Sequence, residues 1–256
     1  MMNMYQLWRI SGLAFVSLSC GLASADSLTD LKSALGRYPG TTMLKATVEA
    51  KVLNRNGEGK DQEEINGSAS LTVEDGPRGL QMHFGRETLQ RVEQEERAKE
   101  KDSKARSPVS VAMRELGVSD LRTMTSSAPQ ISRRLEKAVL RSERPDVLNG
   151  KNVRVLNFEI PIDKLSEKDK KYIKKYDGTL EVWIDNDGTP LQMKATEVMS
   201  GRAFVVISFE ARDEEQLTFS VAGDRLVVLK KERRTSSSGA GERADSRVNK
   251  SLQILS

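Results

Sequence analysis

Residues 177–232 read DGTLEVWIDNDGTPLQMKATEVMSGRAFVVISFEARDEEQLTFSVAGDRLVVLKKE, and this stretch decides the fold. It divides into short runs rich in Val, Ile, Phe and Thr: Thr179–Asp185, Leu191–Val198, Ala203–Arg212, Gln216–Ala222 and Arg225–Lys231. Turn signals stand between them at Asn186-Asp187-Gly188, Ser200-Gly201, Asp213-Glu214 and Gly223-Asp224. Such runs, punctuated by Asn/Asp-Gly pairs, predict hairpins linked in order. Connections this short join only antiparallel neighbours, because a parallel return needs a dozen or more residues. The stretch therefore predicts an antiparallel meander.

The chain before it repeats the theme. Leu28, Leu31 and Leu35 recur at helical spacing and predict a short helix over Ser27–Arg37. Thr42–Leu53 alternates, with Leu44, Ala46, Val48, Ala50 and Val52 on one face, and Ile65–Glu74 and Gly79–Gly85 follow as strands. A helical insertion is then expected over about residues 86–142. Its first part, Glu87–Arg106, is charged all round, with Glu/Arg and Glu/Lys pairs four apart, and predicts a solvated helix frayed near Lys101–Ser107. Gly117 and Ala128-Pro129 divide the remainder into two or three short helices, and Leu140–Pro145 is ambiguous. Val153–Ile160 reads as a strand and Ser166–Tyr176 as a charged helix. After the meander, the Ser/Gly-rich run Thr235–Glu242 predicts a flexible loop over about 235–246, before a last strand at Val248–Leu255. Strands, then helices, then strands give the α+β class, with helices gathered on one face of an antiparallel sheet.

The first 25 residues are read apart from this single domain, 26–256. Met1–Arg9 carries one positive charge and no acid, Ile10–Leu22 is apolar, and Ala23-Ser24-Ala25 has small residues where a signal peptidase cuts. The apolar run, about 13 residues, falls short of the roughly 20 that a permanent span needs. A cleavable signal peptide, cut after Ala25, and a periplasmic location are the expectation. A rival reading makes Cys20 a lipidated cysteine, although Ser17-Leu18-Ser19 fits a lipobox poorly. With Cys20 removed, neither disulfides nor cysteine chemistry remain. Lys and Arg number 41 against 37 Asp and Glu, a near balance that argues against nucleic acid and allows only weak peripheral membrane contact.

Nothing in the sequence signals a reaction, and no enzyme activity or cofactor is expected. His83, the one histidine, falls on the polar face of its strand, and metal sites need several ligands. Asp185-Asn186-Asp187-Gly188 opens like a calcium loop but lacks the later acidic ligands, so a hairpin turn is the better reading. The carboxylate pairs Glu63/Glu64, Glu95/Glu96 and Asp213/Glu214/Glu215 lack the apolar setting that acid–base work requires. There is no glycine-rich phosphate loop and no nucleophile elbow.

What remains is an apolar face. Val48, Leu71, Met82, Phe84, Val182, Met193, Val205, Ile207, Phe209 and Phe219 all look to one side of the sheet, with Phe158 beside them. They read either as a core under the helices or as the lining of a curled sheet that holds a hydrophobic guest. The order of elements resembles the periplasmic lipoprotein-carrier superfamily, the LolA/LolB-like fold. The likeness lies in a short helix after an export signal, long meandering strands, helices inserted midway, and the strand–turn–strand from Gly178 to Val206. That resemblance implies a curled, unclosed half-barrel with helices covering its concave side, and a binding or carrier role for a lipid, acyl chain or lipoprotein. The alternative is an envelope accessory protein that grips another protein, with Glu87–Arg106 as the contact.

Overall fold

Alternation of large apolar and polar side chains builds most of the molecule. The computed structural model describes residues 21–59, 62–203 and 207–255, without the side chains of residues 21–26, Ala203 and Ile207. Residues 1–20 of the expected signal segment lie outside this range. Helix α1 (Gly21–Gly36) leads into β1 (Leu44–Asn56), β2 (Glu63–Gly76) and β3 (Gly79–Phe84). On β1, Ala46, Val48, Ala50 and Val52 are buried while Lys45 and Lys51 face solvent. The register Val48↔Leu71↔Phe84 puts the apolar residues of three strands on one face.

Four helices follow: α2 (Arg86–Lys101), α3 (Pro108–Arg114), α4 (Val118–Thr125) and α5 (Ala128–Glu136). Then come β4 (Val139–Leu148), β5 (Lys151–Ile160), a 3-10 turn at Ile162–Lys164, the single-turn helix α6 (Glu167–Lys170) and β6 (Ile173–Ile184). Strands β7 (Pro190–Ala203), β8 (Ile207–Ala222), β9 (Arg225–Gly239) and β10 (Glu242–Ile254) complete the chain. All ten strands form one antiparallel sheet in the order β3-β2-β1-β10-β9-β8-β7-β6-β5-β4. The last strand pairs with the first, but β3 and β4 do not pair with each other, so the sheet stays unclosed and these two free edges flank the helical insertion. Pro145 and a bulge between Leu140 and Ser142 blunt the β4 edge against further pairing. The class is α+β, as expected.

The helices fill the concave side. Leu31 and Leu35 of α1, Leu116, Leu121 and Met124 around α4, and Ile131 and Leu135 of α5 join the sheet's Val48, Leu71, Leu180, Val182, Met193, Leu217 and Phe219 in one cluster. Each such side chain stabilises the fold by roughly 1.5–3 kcal/mol on burial. Truncating Leu121, which is fully buried, to Ala would cost about 2–5 kcal/mol. Helix α2 buries nothing of its own. It is tied down by Glu95, whose carboxylate accepts hydrogen bonds from the Val109 and Ser110 backbone N–H groups (2.8 Å each) and from Ser110 Oγ, and so caps α3. Gly67 lets the α3 entry sit directly on β2, because a Cβ there would lie 2.0 Å from the Pro108 carbonyl oxygen.

Four local expectations are corrected. Ser166–Tyr176 is not a helix. Only Glu167–Lys170 coils, capped by Ser166, and Ile173–Asp177 pair with β7 because ladder partners outweigh the local helical signal of Tyr172, Ile173 and Tyr176. Chain reversal does not occur at Ser200-Gly201, since β7 continues to Ala203 and pairs with Ile207. Asp213-Glu214 is no turn either. The run stays extended because cations meet each carboxylate: Arg233 on Asp213, Arg212 on Glu214, and Lys231 and Arg134 on Glu215. Finally, the loop expected over 235–246 is a hairpin. Gly239 pairs with Glu242 across a two-residue turn, Ala240-Gly241, with φ of 54° and 80°, the left-handed pair that such turns require. The ambiguous Leu140–Pro145 lies within β4.

Candidate functional site

Four transverse rows of Cα partners cross the concave face, and they change character in order. The first, Val182–Met193–Leu217–Lys231–Lys250–Ala50, is buried throughout under the helices. The second runs Leu180–Ala195–Glu215–Arg233–Val248–Val52 and the third Gly178–Glu197–Asp213–Thr235–Ser246–Asn54. In the fourth, Tyr176–Met199–Ala211–Ser237–Ala244–Asn56, every residue is half-exposed or exposed. The helical cover therefore ends within the sheet.

At the boundary the helices and sheet exchange charges. Lys231 Nζ donates to Asp120 Oδ1 of α4 (2.8 Å) and pairs with Glu215 Oε1 (2.8 Å). Lys250, 2% exposed, pairs with Glu115 (3.1 Å) and with the other oxygen of Asp120. Arg134 of α5 donates to Glu215 from the opposite side. Burial pushes the Glu215 carboxyl upward, but Arg134 and Lys231 more than offset it, and the net displacement is downward. Burial pulls Lys250 down, with Glu115 opposing.

Beyond these ion pairs the face opens. A cleft of about 520 Å³ lies between α5, the segment around Lys164–Asp169, and Glu197, Asp213 and Arg233 of the sheet. Next to it, at the end of the sheet, a hollow of about 760 Å³ is bounded by the fourth row, Tyr176, Met199, Ala211 and Ser237, and by its strand neighbours that alternate to the other face, among them Lys175, Val198, Glu210 and Arg212, with Glu58 and Arg243. Tyr176 borders both. Its ring leans over Gly178, where a Cβ would come within 2.7 Å of it, and among the described residues its buried hydroxyl makes no hydrogen bond of ordinary geometry. Burial, then the neighbouring Glu197 charge, drives the Tyr176 pKa upward. Burial and then repulsion from Asp213 hold the Glu197 carboxyl above its ordinary value. The boundary between cleft and hollow thus carries two polar groups that favour their neutral forms.

The residues expected to line a guest site fall in different places. Val48, Leu71, Val182, Met193 and Phe219 are at most 6% exposed and packed under helices. Met82 and Phe84 are half-buried on the edge strand β3, where they line a separate hollow of about 570 Å³ between α2 and α3. Phe209 is half-buried next to Gly239, past the fourth row. Val205 and the Ile207 side chain lie outside the described residues. Tyr176, Met199, Ala211 and Ser237 were not foreseen: Tyr176 falls in the expected helix and Ser237 in the expected loop, Met199 falls between a strand and the turn expected at Ser200-Gly201, and Ala211, within the expected strand Ala203–Arg212, is too small to mark a lining.

Among the described residues no group of three or more His, Cys, Asp or Glu side chains is placed to hold a metal. His83 is exposed, and Asp185–Gly188 forms a turn whose Asp187 pairs with Arg37 (2.9 Å). No family model, curated protein or solved structure matches the chain.

Proposed function

We propose that this chain is an exported, non-enzymatic binding or carrier protein that takes a hydrophobic ligand, such as a lipid or acyl chain, free or on a lipoprotein, in the periplasm. The observation that supports this reading is the uncovered fourth row, where Tyr176, Met199 and Ala211 border a hollow beside a charged cleft. An amphipathic guest would lay its chain along the hollow and turn its polar end toward Arg134 and Arg233. Methionine suits such a lining, being unbranched and adaptable. Hollows of this size fall within the ordinary range for small-molecule sites, roughly 300–1,000 Å³. Burying about eight methylenes at about 0.8 kcal/mol each would give a Kd on the order of tens of micromolar.

Native mass spectrometry of gently purified protein, with a fluorescent fatty acid as the solution probe, tests the reading. Expected are lipid-mass adducts or micromolar uptake by the parent, reduced about tenfold or more by Ala211→Trp, which fills the hollow, and by Met199→Asp. A clean apo mass with no uptake, or uptake unchanged in both variants, would overturn it.

A second reading is a protein contact through α2, supported by sixteen residues with none buried. Removing residues 90–107 would also remove Glu95 and unseat α3. Replacing Glu93, Arg97 and Glu100 with Ala leaves that clamp intact. Lost function with unchanged lipid content would favour this reading, and an unaltered phenotype would remove it.

A further inference from the structure

Charge is balanced over the whole chain but not over the helical layer. In the layer from Pro108 to Lys137 two of the three acids turn inward: Glu115 and Asp120 meet Lys250 and Lys231 of the sheet, and Glu136 stays exposed. The layer's bases turn outward, and Arg114, Arg122, Arg133 and Lys137 are all exposed. Arg122, Arg133 and Lys137 border one hollow of about 1030 Å³, between α4, α5 and the β2–β3 turn. Two further cations line it but are already matched. Arg225, 2% exposed, is held by Asp75 (2.8 Å) and by the Thr42 carbonyl (2.6 Å), and Arg134 is held by Glu215. Among the described residues no ion pair engages Arg122, Arg133 or Lys137, and the one other carboxylate at the rim is the exposed Glu136.

We propose that this hollow binds a phosphate-bearing anion, with Arg122, Arg133 and Lys137 as the recognising cations. Three like charges around one concavity repel one another unless an anion lies between them. Two guanidinium forks and an ammonium, approaching from different sides, match the tetrahedral oxygens of a phosphate group better than the planar pair of a carboxylate. The buried Arg225–Asp75 pair gives the hollow a fixed floor, while Leu80 and the exposed Val118 (52%) provide an apolar shoulder at its rim. That combination suits a phospholipid headgroup with the start of its glycerol or acyl portion, although a free phosphate satisfies the same cations. The site lies on the helical layer and does not depend on a guest in the sheet hollow.

The test compares the parent with a triple variant, Arg122→Gln, Arg133→Gln and Lys137→Gln, and with a control that removes three exposed cations elsewhere, Lys32→Gln, Arg234→Gln and Arg247→Gln. Probes are vesicles of equal parts phosphatidylglycerol and phosphatidylcholine, vesicles of phosphatidylcholine alone, and inorganic phosphate. Each surface cation strengthens binding to an anionic surface about fivefold, so the triple variant should lose about a hundredfold in co-sedimentation with the mixed vesicles. Retention of binding in the control identifies a lipid headgroup as the source of the anion. If no vesicle is bound but inorganic phosphate raises the Tm of the parent and the control, and not of the triple variant, the source is free phosphate. Equal loss in triple variant and control, equal binding to neutral vesicles, or no response to any probe would overturn the proposal.

Discussion

Asp120 is the carboxylate through which α4 holds two sheet lysines, and replacing it with Asn removes one charge without changing shape. Lys250 and Lys231 have side chains 2% and 9% exposed, so neither regains full hydration when its partner goes. Removing one member of a buried pair costs about 3–5 kcal/mol, because the other charge is left in a poorly solvating setting. Here each lysine keeps a second carboxylate, Glu115 at 3.1 Å and Glu215 at 2.8 Å. The expected loss is therefore smaller, about 2–3 kcal/mol, or roughly 5–10 °C in Tm for a chain of this size. Lys250→Met should cost less than Asp120→Asn, since it takes away the buried charge that needs compensation. In the double variant the two changes should couple by about 1–2 kcal/mol. Urea unfolding followed by circular dichroism measures all three. A surface comparator is Arg97→Gln, which breaks an exposed helix pair worth under about 0.5 kcal/mol. If Asp120→Asn loses no more than this comparator and the cycle shows no coupling, the ion pairs do not fasten the helices to the sheet.

Two further perturbations probe the edge of the cover. Glu197 has a folded-state pKa above its ordinary 4.5, so its contribution to stability is fully present below pH 4.5 and is lost as pH rises through the folded value. Glu197→Gln stays neutral, so its Tm relative to the parent should climb as pH rises above 4.5 and through the folded value, and a difference that stays flat with pH would refute the assignment. Gly178→Ala places a methyl group where the Tyr176 ring lies and should displace the ring at a cost of about 1 kcal/mol. Nitration of Tyr176, followed by peptide mass spectrometry, should then be faster than in the parent, and an unchanged rate would show that the ring does not need the missing Cβ.

Periodicity revealed the strands, and short-range turn chemistry revealed those reversals that depend on left-handed backbone, such as Asn186-Asp187-Gly188 and Gly223-Asp224 (φ of 83° at Gly188 and 60° at Gly223). It misled wherever a charged or Ser-rich run lay inside a strand. Asp213 to Glu215 looks like a solvated break until Arg233, Lys231 and Arg134 stand next to it, and Arg134 is 81 residues away in sequence. Likewise Thr235–Gly239 is extended only because Phe209–Asp213 and Glu242–Ser246 flank it. The same long-range pairings decided the candidate site. Val182, Met193 and Phe219 were on the expected face, but nothing local distinguishes a residue under a helix from one two rows beyond it. Arg122 and Arg133 carry no signal at all, since an exposed arginine on a short helix is ordinary until its neighbours' acids are found facing inward.

The uncovered face follows from how the chain is allocated between helices and strands. Helices α3, α4 and α5 have 7, 8 and 9 residues, so at 1.5 Å per residue each spans about 10–14 Å. Strands β7 to β10 have 13 to 16 residues, which at about 3.3 Å per residue is roughly 43–53 Å. Three short helices cannot cover that length, and the one longer helix of the insertion, α2, has too few apolar residues to help. Its sixteen residues include Leu89 and Val92 as their only large apolar side chains, and Leu89 is 48% exposed. The sheet responds in its composition. Leucine, valine and methionine occupy the covered rows, paired charges mark the edge of the cover, and Ala211, Ser237 and Ala244 stand where side chains meet solvent. Small residues at the end of a curved sheet leave room, which Met199, Tyr176 and Val198 border together with charged side chains such as Lys175, Glu210 and Arg212. The hollow is a consequence of strands that outrun their helices, which is why changes at Ala211 and Met199 test binding while leaving the core, two rows away, intact.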